Sequence, residues 1–153
     1  MRFYAYLYLM EHYKNLSMHN IDGEIWKQIA GYEGMYEISN YGRVKSMARI
    51  TPYTSKNGHP VSAMYKALIM KQYESVGYLK VDLYKNAKRK KTFVHWLVAT
   101  AFIPNPQNKP CINHKKGNKK MNDTDEIEWV TYSENVKHAR KVLGVRVNQY
   151  DTR

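Results

Sequence analysis

The chain has 153 residues and a formal net charge of +12, from 25 Lys and Arg against 13 Asp and Glu. That length allows one domain, or one domain with a small module, and the cation excess favours a polyanionic partner such as nucleic acid. The lone cysteine, Cys111, excludes an internal disulfide framework and a Cys-rich zinc site, and no apolar run is long enough to span a bilayer. A reducing, cytoplasmic setting is expected.

Residues 1–22 form an N-terminal extension. A charge precedes a short Tyr-rich apolar run, but Glu11, His12, Tyr13 and Lys14 follow without a small-residue cleavage site. The extension is therefore expected to pack on the domain as an extra helix or strand rather than to act as a leader. Met18 is an alternative start.

Residues 23–92 read as a β-rich module. Trp26 to Ile29 is a short edge strand, Gly31 and Gly34 permit a tight turn, and Tyr36 to Ser39 alternates as a strand does. Asn40-Tyr41-Gly42 is a turn. Arg43 to Ser46 alternates again and puts Arg43 and Lys45 on one face, where exposed cations on extended backbone can follow DNA phosphates. Residues 51–60 are a loop by composition, and Leu68 to Lys71 is a short strand. From Gly77 to Tyr84 the pattern alternates, with Leu79, Val81 and Leu83 on the core face. Residues 86–91 are expected to be a hairpin turn carrying Lys88, Arg89, Lys90 and Lys91, which serves either as a solvated tip or as a grip on phosphates. Thr92 to Val94 returns as a strand. His95 to Phe102 is helical, with Leu97, Val98, Ala101 and Phe102 on one face, and Pro104 and Pro106 stop it.

Residues 93–143 complete a second unit, followed by a short polar tail, 144–153. A strand ends in Ile112-Asn113-His114, a loop rich in Lys, Gly, Asn and Asp follows, and Ile127 to Thr131 is a half-buried strand. Ser133 is the expected N-cap of a helix with Glu134 in its first turn and Gly144 at its end. Folding that hairpin on the helix brings His114 toward Asn135. A histidine beside two amide side chains in a very basic chain points to phosphodiester cleavage at a metal ion.

Three segments carry a specific resemblance: Val94-His95-Trp96-Leu97-Val98-Ala99-Thr100-Ala101-Phe102, Asn113-His114-Lys115-Lys116-Gly117-Asn118-Lys119, and Glu126-Ile127-Glu128-Trp129-Val130-Thr131 with Asn135 beyond. In order and spacing they resemble the ββα-metal motif of His-Asn-His (HNH) endonucleases of the phage and intron-encoded homing type. Residues 24–46, from Glu24-Ile25-Trp26 to Val44-Lys45-Ser46, resemble the small nuclease-associated modular domain found ahead of such units. The resemblance implies an α+β fold, a small antiparallel β module followed by the ββα unit. It implies His114 as general base and Asn113 and Asn135 as ligands of one Mg²⁺ or Mn²⁺, with double-stranded DNA as partner. Supporting roles fall to His95, Asn118, Asn122, Glu126 and His138. Lys115, Lys116, Lys119 and Lys120 join Arg43, Lys45 and residues 88–91 as expected DNA contacts.

The chain departs from the family pattern at three points. The family's middle Asn falls at Glu126, its loop Asp at Lys116, and the Arg after the helix-starting His at Trp96. Asn122 and Asp123 are the candidates to replace the missing amide. Two other readings stand beside the endonuclease: a relative that binds DNA without cutting it, and a basic RNA-binding protein that stacks bases on tyrosines. Whether the protein nicks or makes double-strand breaks depends on whether it acts as a monomer or a homodimer.

Overall fold

The structure, a computed structural model, describes residues 12–144. The expectations for residues 1–11 and for the tail from residue 145 lie outside it. Every sheet among the described residues is antiparallel, as the α+β reading requires.

After a single 3-10 turn at His12–Lys14, a four-stranded sheet forms in the order β1 (Trp26–Gln28), β2 (Tyr36–Ser39), β3 (Val44–Ser46), β6 (Leu68–Ile69). Inserted between β3 and β6 is a two-stranded ribbon, β4 (Arg49–Thr54) and β5 (Pro60–Tyr65). This corrects the loop expected over 51–60, of which only the segment between Thr54 and Pro60 turns. Pro52 does not forbid the strand, because a ribbon of two strands has free edges on both sides and Pro can occupy one without breaking a ladder.

A second sheet holds β7 (Tyr73–Ser75), β8 (Tyr78–Lys85) and β9 (Lys88–Phe93). The β8–β9 turn is only Asn86-Ala87, both with positive φ (51° and 59°), a two-residue geometry matched to strand twist. The four cations expected on the turn therefore lie within β9, where alternation sends Lys88 and Lys90 to one face and Arg89 and Lys91 to the other. Helix α1 (Val94–Phe102) starts directly from β9, and Ile103, extended before Pro104, ends it. The hairpin β10 (Cys111–His114) and β11 (Ile127–Val130) follows, then helix α2 (Tyr132–Leu143). Thr131, not Ser133, caps α2: its hydroxyl accepts from the Glu134 N–H at 3.2 Å, and its own N–H donates to the Glu134 carboxylate at 2.7 Å. Glu134 can close this reciprocal box only from the third helical position, which moves the cap two residues upstream of the expected one. Gly144 ends the helix in left-handed conformation, φ 63°.

One core runs through both units. Ile38 and Val44 of the first sheet, Leu79, Val81 and Leu83 of β8, Val94 and Val98 of α1, and Ile127 of β11 are in one apolar cluster. The boundary expected near residue 92 thus passes through shared packing. Burying these side chains together, at roughly 1.5–3 kcal/mol each, ties the β module rigidly to the hairpin that carries His114.

Arg43 corrects the sequence reading most sharply. Expected as an exposed DNA contact, it is fully buried. Its Nε donates to Glu24 at 2.8 Å and its Nη2 to the same carboxylate at 2.5 Å. Nη1 donates to the carbonyls of Asn15 and Ser17, and Nη2 also to that of His19. The five N–H groups of a guanidinium are all used. Burial pushes the Glu24 carboxyl up, but the Arg43 bonds and the Ile21 N–H outweigh it and hold the group below its ordinary range. Arg43 so fastens residues 15–24 to the sheet. Lys45 is largely withdrawn too: it pairs with Glu37 at 2.9 Å and lies 3.9 Å from the Trp26 ring centre.

Candidate active site

His114 ends β10 and is 6% exposed. The side-chain oxygen of Asn122 lies 3.1 Å from its Nε2, while the Asn122 amide nitrogen faces the Lys120 carbonyl. An amide oxygen only accepts, so Nε2 carries the proton and the lone pair is left on Nδ1. Burial pushes the imidazole pKa down, the Asn122 bond opposes that, and the Lys119 charge adds to the lowering. His114 is therefore neutral at physiological pH with its tautomer set, the state a general base needs.

Around it stands an aromatic wall. His95 meets His114 edge to face at 5.3 Å between ring centres, and Tyr78 lies 5.1 Å from His95 and 5.9 Å from His114. Phe93 stacks on His95 at 5.2 Å. Burial and the neighbouring His114 push the His95 pKa down to about 3, and its Nδ1 is buried without a hydrogen-bond partner. Such a depressed value makes stability pH-dependent. The unfolded chain takes up a proton near pH 6.5 that folded His95 refuses until about pH 3. Its contribution is complete above 6.5 and is lost progressively as pH falls through that window. The melting temperature is expected to drop on acidification from pH 6.5 and to drop less in His95→Phe. Equal acid sensitivity in the two proteins, followed by calorimetry, would refute this.

The loop between β10 and β11 is closed upon itself and upon the β module. Lys115 N–H donates to the Glu126 carbonyl at 2.8 Å, Gly117 N–H to His114 at 2.8 Å, and Glu126 N–H to Asp123 at 2.9 Å. Asn118 organises the middle, its side chain accepting from the Lys120 N–H at 3.1 Å. Lys116 and Glu126, the two loop positions that depart from the family pattern, form an ion pair with each other at 2.5 Å. The two departures thus pair with each other, and of the two candidates for the missing amide it is Asn122 that lies against the His114 ring. From the module, the Asn40 carbonyl receives the Thr124 N–H at 2.9 Å. Gly42, at φ 75°, lets Asn122 approach so closely that an added Cβ would stand 3.0 Å from the Asn122 Cβ. Buried His12 packs on Tyr41 and lies 3.4 Å from the Asp123 carboxylate.

Asn113, next to His114 in β10, is 6% exposed. Its amide nitrogen donates to Glu128 at 2.9 Å. Asn135 is exposed in the first turn of α2. The helix is fastened to the hairpin by His138, whose Nε2 donates to the Lys115 carbonyl at 2.9 Å. Asn135 and His138, three residues apart, share that face. The amide oxygens of Asn113 and Asn135 are hard, neutral donors that suit Mg²⁺ or Mn²⁺.

The expected DNA contacts divide. Lys88, Lys90 and Lys91 are exposed on β9, and Arg89 lies 3.6 Å from Asp82. Lys115 bonds the Asp125 carbonyl, Lys120 pairs with Glu74 at 2.6 Å, and Lys119 lies over Tyr78 at 4.6 Å, beside the histidines. Sequence reasoning gave no site role to Tyr78, Gly42 or Glu128. For Glu128 the signal was present: a hairpin pairing His114 with Ile127 must pair Asn113 with Glu128.

Comparison with known proteins bears on the fold and on the relatives of the chain. Residues 24–84 match the NUMOD4 motif. The chain is 34% identical over 131 residues to the uncharacterized HNH endonuclease L245 of Acanthamoeba polyphaga mimivirus, covering 82% of this chain and 34% of that protein. It is 34% identical over 113 residues to the DNA endonuclease I-HmuI of Bacillus phage SP01, covering 74% of this chain and 56% of that one. A solved structure described as DNA binding and cleavage by the HNH homing endonuclease I-HmuI superposes with a TM-score of 0.58 at 30% identity, covering 80% of this chain and 62% of the other. The chain thus spans between about a third and just over half of the length of these two relatives. Among the described residues no helix is long and apolar enough to cross a membrane. With a NUMOD4 motif leading into a ββα hairpin and helix, the chain is a homologue of HNH endonucleases of the homing type.

Proposed function

We propose that this chain is a DNA endonuclease that hydrolyses phosphodiester bonds of duplex DNA with one divalent metal ion per active site. The observation that carries the reading is His114: buried, held neutral, and fixed by Asn122 with its lone pair on Nδ1. In this role Nδ1 takes the proton of the attacking water, and Asn122 holds the ring in place. Asn113 and Asn135 would hold Mg²⁺ or Mn²⁺, which supplies charge stabilisation at the scissile phosphate and the leaving 3′ oxygen. Lys88, Lys90, Lys91 and Lys119 are the exposed cations best placed to meet backbone phosphates. One such site cuts one strand, and the setting is the cytoplasm of a phage-infected or bacterial cell.

Supercoiled plasmid incubated with the protein tests this. Nicked circles are expected with Mg²⁺ or Mn²⁺ and none after EDTA. DNA binding without any cutting in either metal would favour a DNA-binding relative that has lost catalysis. A strong preference for single-stranded RNA would favour the stacking reading.

A further inference from the structure

Asn113 and Glu128 are directly opposite in the β10–β11 ladder, so their side chains leave the hairpin on the same face. The contact between them has a direction. The Asn113 amide nitrogen donates to the Glu128 Oε1 at 2.9 Å, which turns the amide so that its oxygen is left without a hydrogen bond among the described residues. A primary amide in a site can present either end. A carboxylate on one side accepts only, so it selects the nitrogen for itself and leaves the oxygen for a cation. Asn113 itself is neutral, and among the described residues the only carboxylate bonded to it is that of Glu128.

We infer that Glu128 is a positioning residue of the metal site: it orients the Asn113 oxygen toward the cation and supplies, from one bond behind the ligand, the negative charge that the ligand lacks. This rests on the reading of Asn113 as a metal ligand given above. The pair is then an Asp–Gln hydrogen bond written backwards. Exchanging the two functional groups keeps the bond and its geometry but reverses its donor and acceptor, and it moves the charge onto the ligand itself. Carboxylates that hold a ligand from behind in this way contribute about 10- to 100-fold to metal affinity.

The prediction is read by Mn²⁺ electron paramagnetic resonance titration of the full chain bound to a linear duplex, in a His114→Ala background that keeps the DNA whole. Glu128→Gln still accepts from Asn113 but loses the charge, and Mn²⁺ affinity is expected to fall about tenfold. Glu128→Leu loses acceptor and charge, and the fall is expected to approach 100-fold. The exchange Asn113→Asp with Glu128→Gln is expected to return affinity to the parent level or above. Thermal melts of each variant separate loss of fold from loss of metal. A folded Glu128→Leu that binds Mn²⁺ within twofold of the parent overturns the inference, as does an exchange variant that recovers nothing. If the unmodified chain cuts plasmid with Mn²⁺ while all variants bind the ion equally, only this inference fails. If the parent binds no Mn²⁺ and the unmodified chain does not cut, the proposed function fails with it.

Discussion

His114→Ala is expected to lower metal-dependent plasmid nicking by about 10²–10⁴-fold, the range that a positioned general base contributes, while the protein remains folded and still binds DNA. The size of the effect follows from how much of the surroundings is devoted to one nitrogen. Burial keeps the ring neutral, Asn122 occupies Nε2, and the wall of His95 and Tyr78 fixes the plane. The neighbouring imidazole, His95, has its own Nδ1 buried without a hydrogen-bond partner among the described residues. Asn122→Ala keeps the base but frees its tautomer and rotation, so a smaller loss of about 10- to 100-fold is expected, the usual consequence of misplacing a reacting group slightly. Single-turnover nicking at saturating Mg²⁺ measures both. Retention of the parent rate within twofold by His114→Ala would remove it from the mechanism.

Arg43→Ala carries the largest expected effect on stability. Removing one partner of a buried ion pair leaves Glu24 charged and unpaired, at a cost of about 3–5 kcal/mol, and it also leaves the carbonyls of Asn15, Ser17 and His19 without their donor. For a chain of this length that corresponds to a fall of about 10 °C in melting temperature. The contrast is Lys88→Ala, on the exposed face of β9. It is expected to leave the melt unchanged and to reduce the salt dependence of DNA binding by about one released counterion. Calorimetry and binding isotherms at several salt concentrations distinguish the two. A stable Arg43→Ala protein with a reduced salt slope would restore Arg43 as a phosphate contact.

The Arg43 result shows where reading the chain by pattern reaches its limit. Alternation in Arg43 to Ser46 identified a strand, and β3 is there, but it assigned the cations to a solvent face. What covers that face is the segment 15–24, brought back by the fold. No local pattern predicts that a guanidinium will be enclosed by carbonyls far from it in sequence. The cations of residues 88–91 show the same limit at a finer scale. Their composition suggested a tip, yet two positive-φ residues suffice for the turn and the charges became a strand.

By itself the sequence determined the elements that depend on local periodicity and spacing: the alternating core strand Leu79, Val81, Leu83, the helix stopped before Pro104, and the order in which Asn113, His114 and Asn135 follow one another. Tertiary structure alone decided the chemistry of the loop. Lys116 and Glu126 looked like two separate defects until folding set them against each other as an ion pair. Asn122 gained its place because Gly42, far away in sequence, offers no Cβ to keep it off. Side-chain partners across long sequence separations are set by packing and register, which no local periodicity encodes, and those partners are what fix the His114 ring in place.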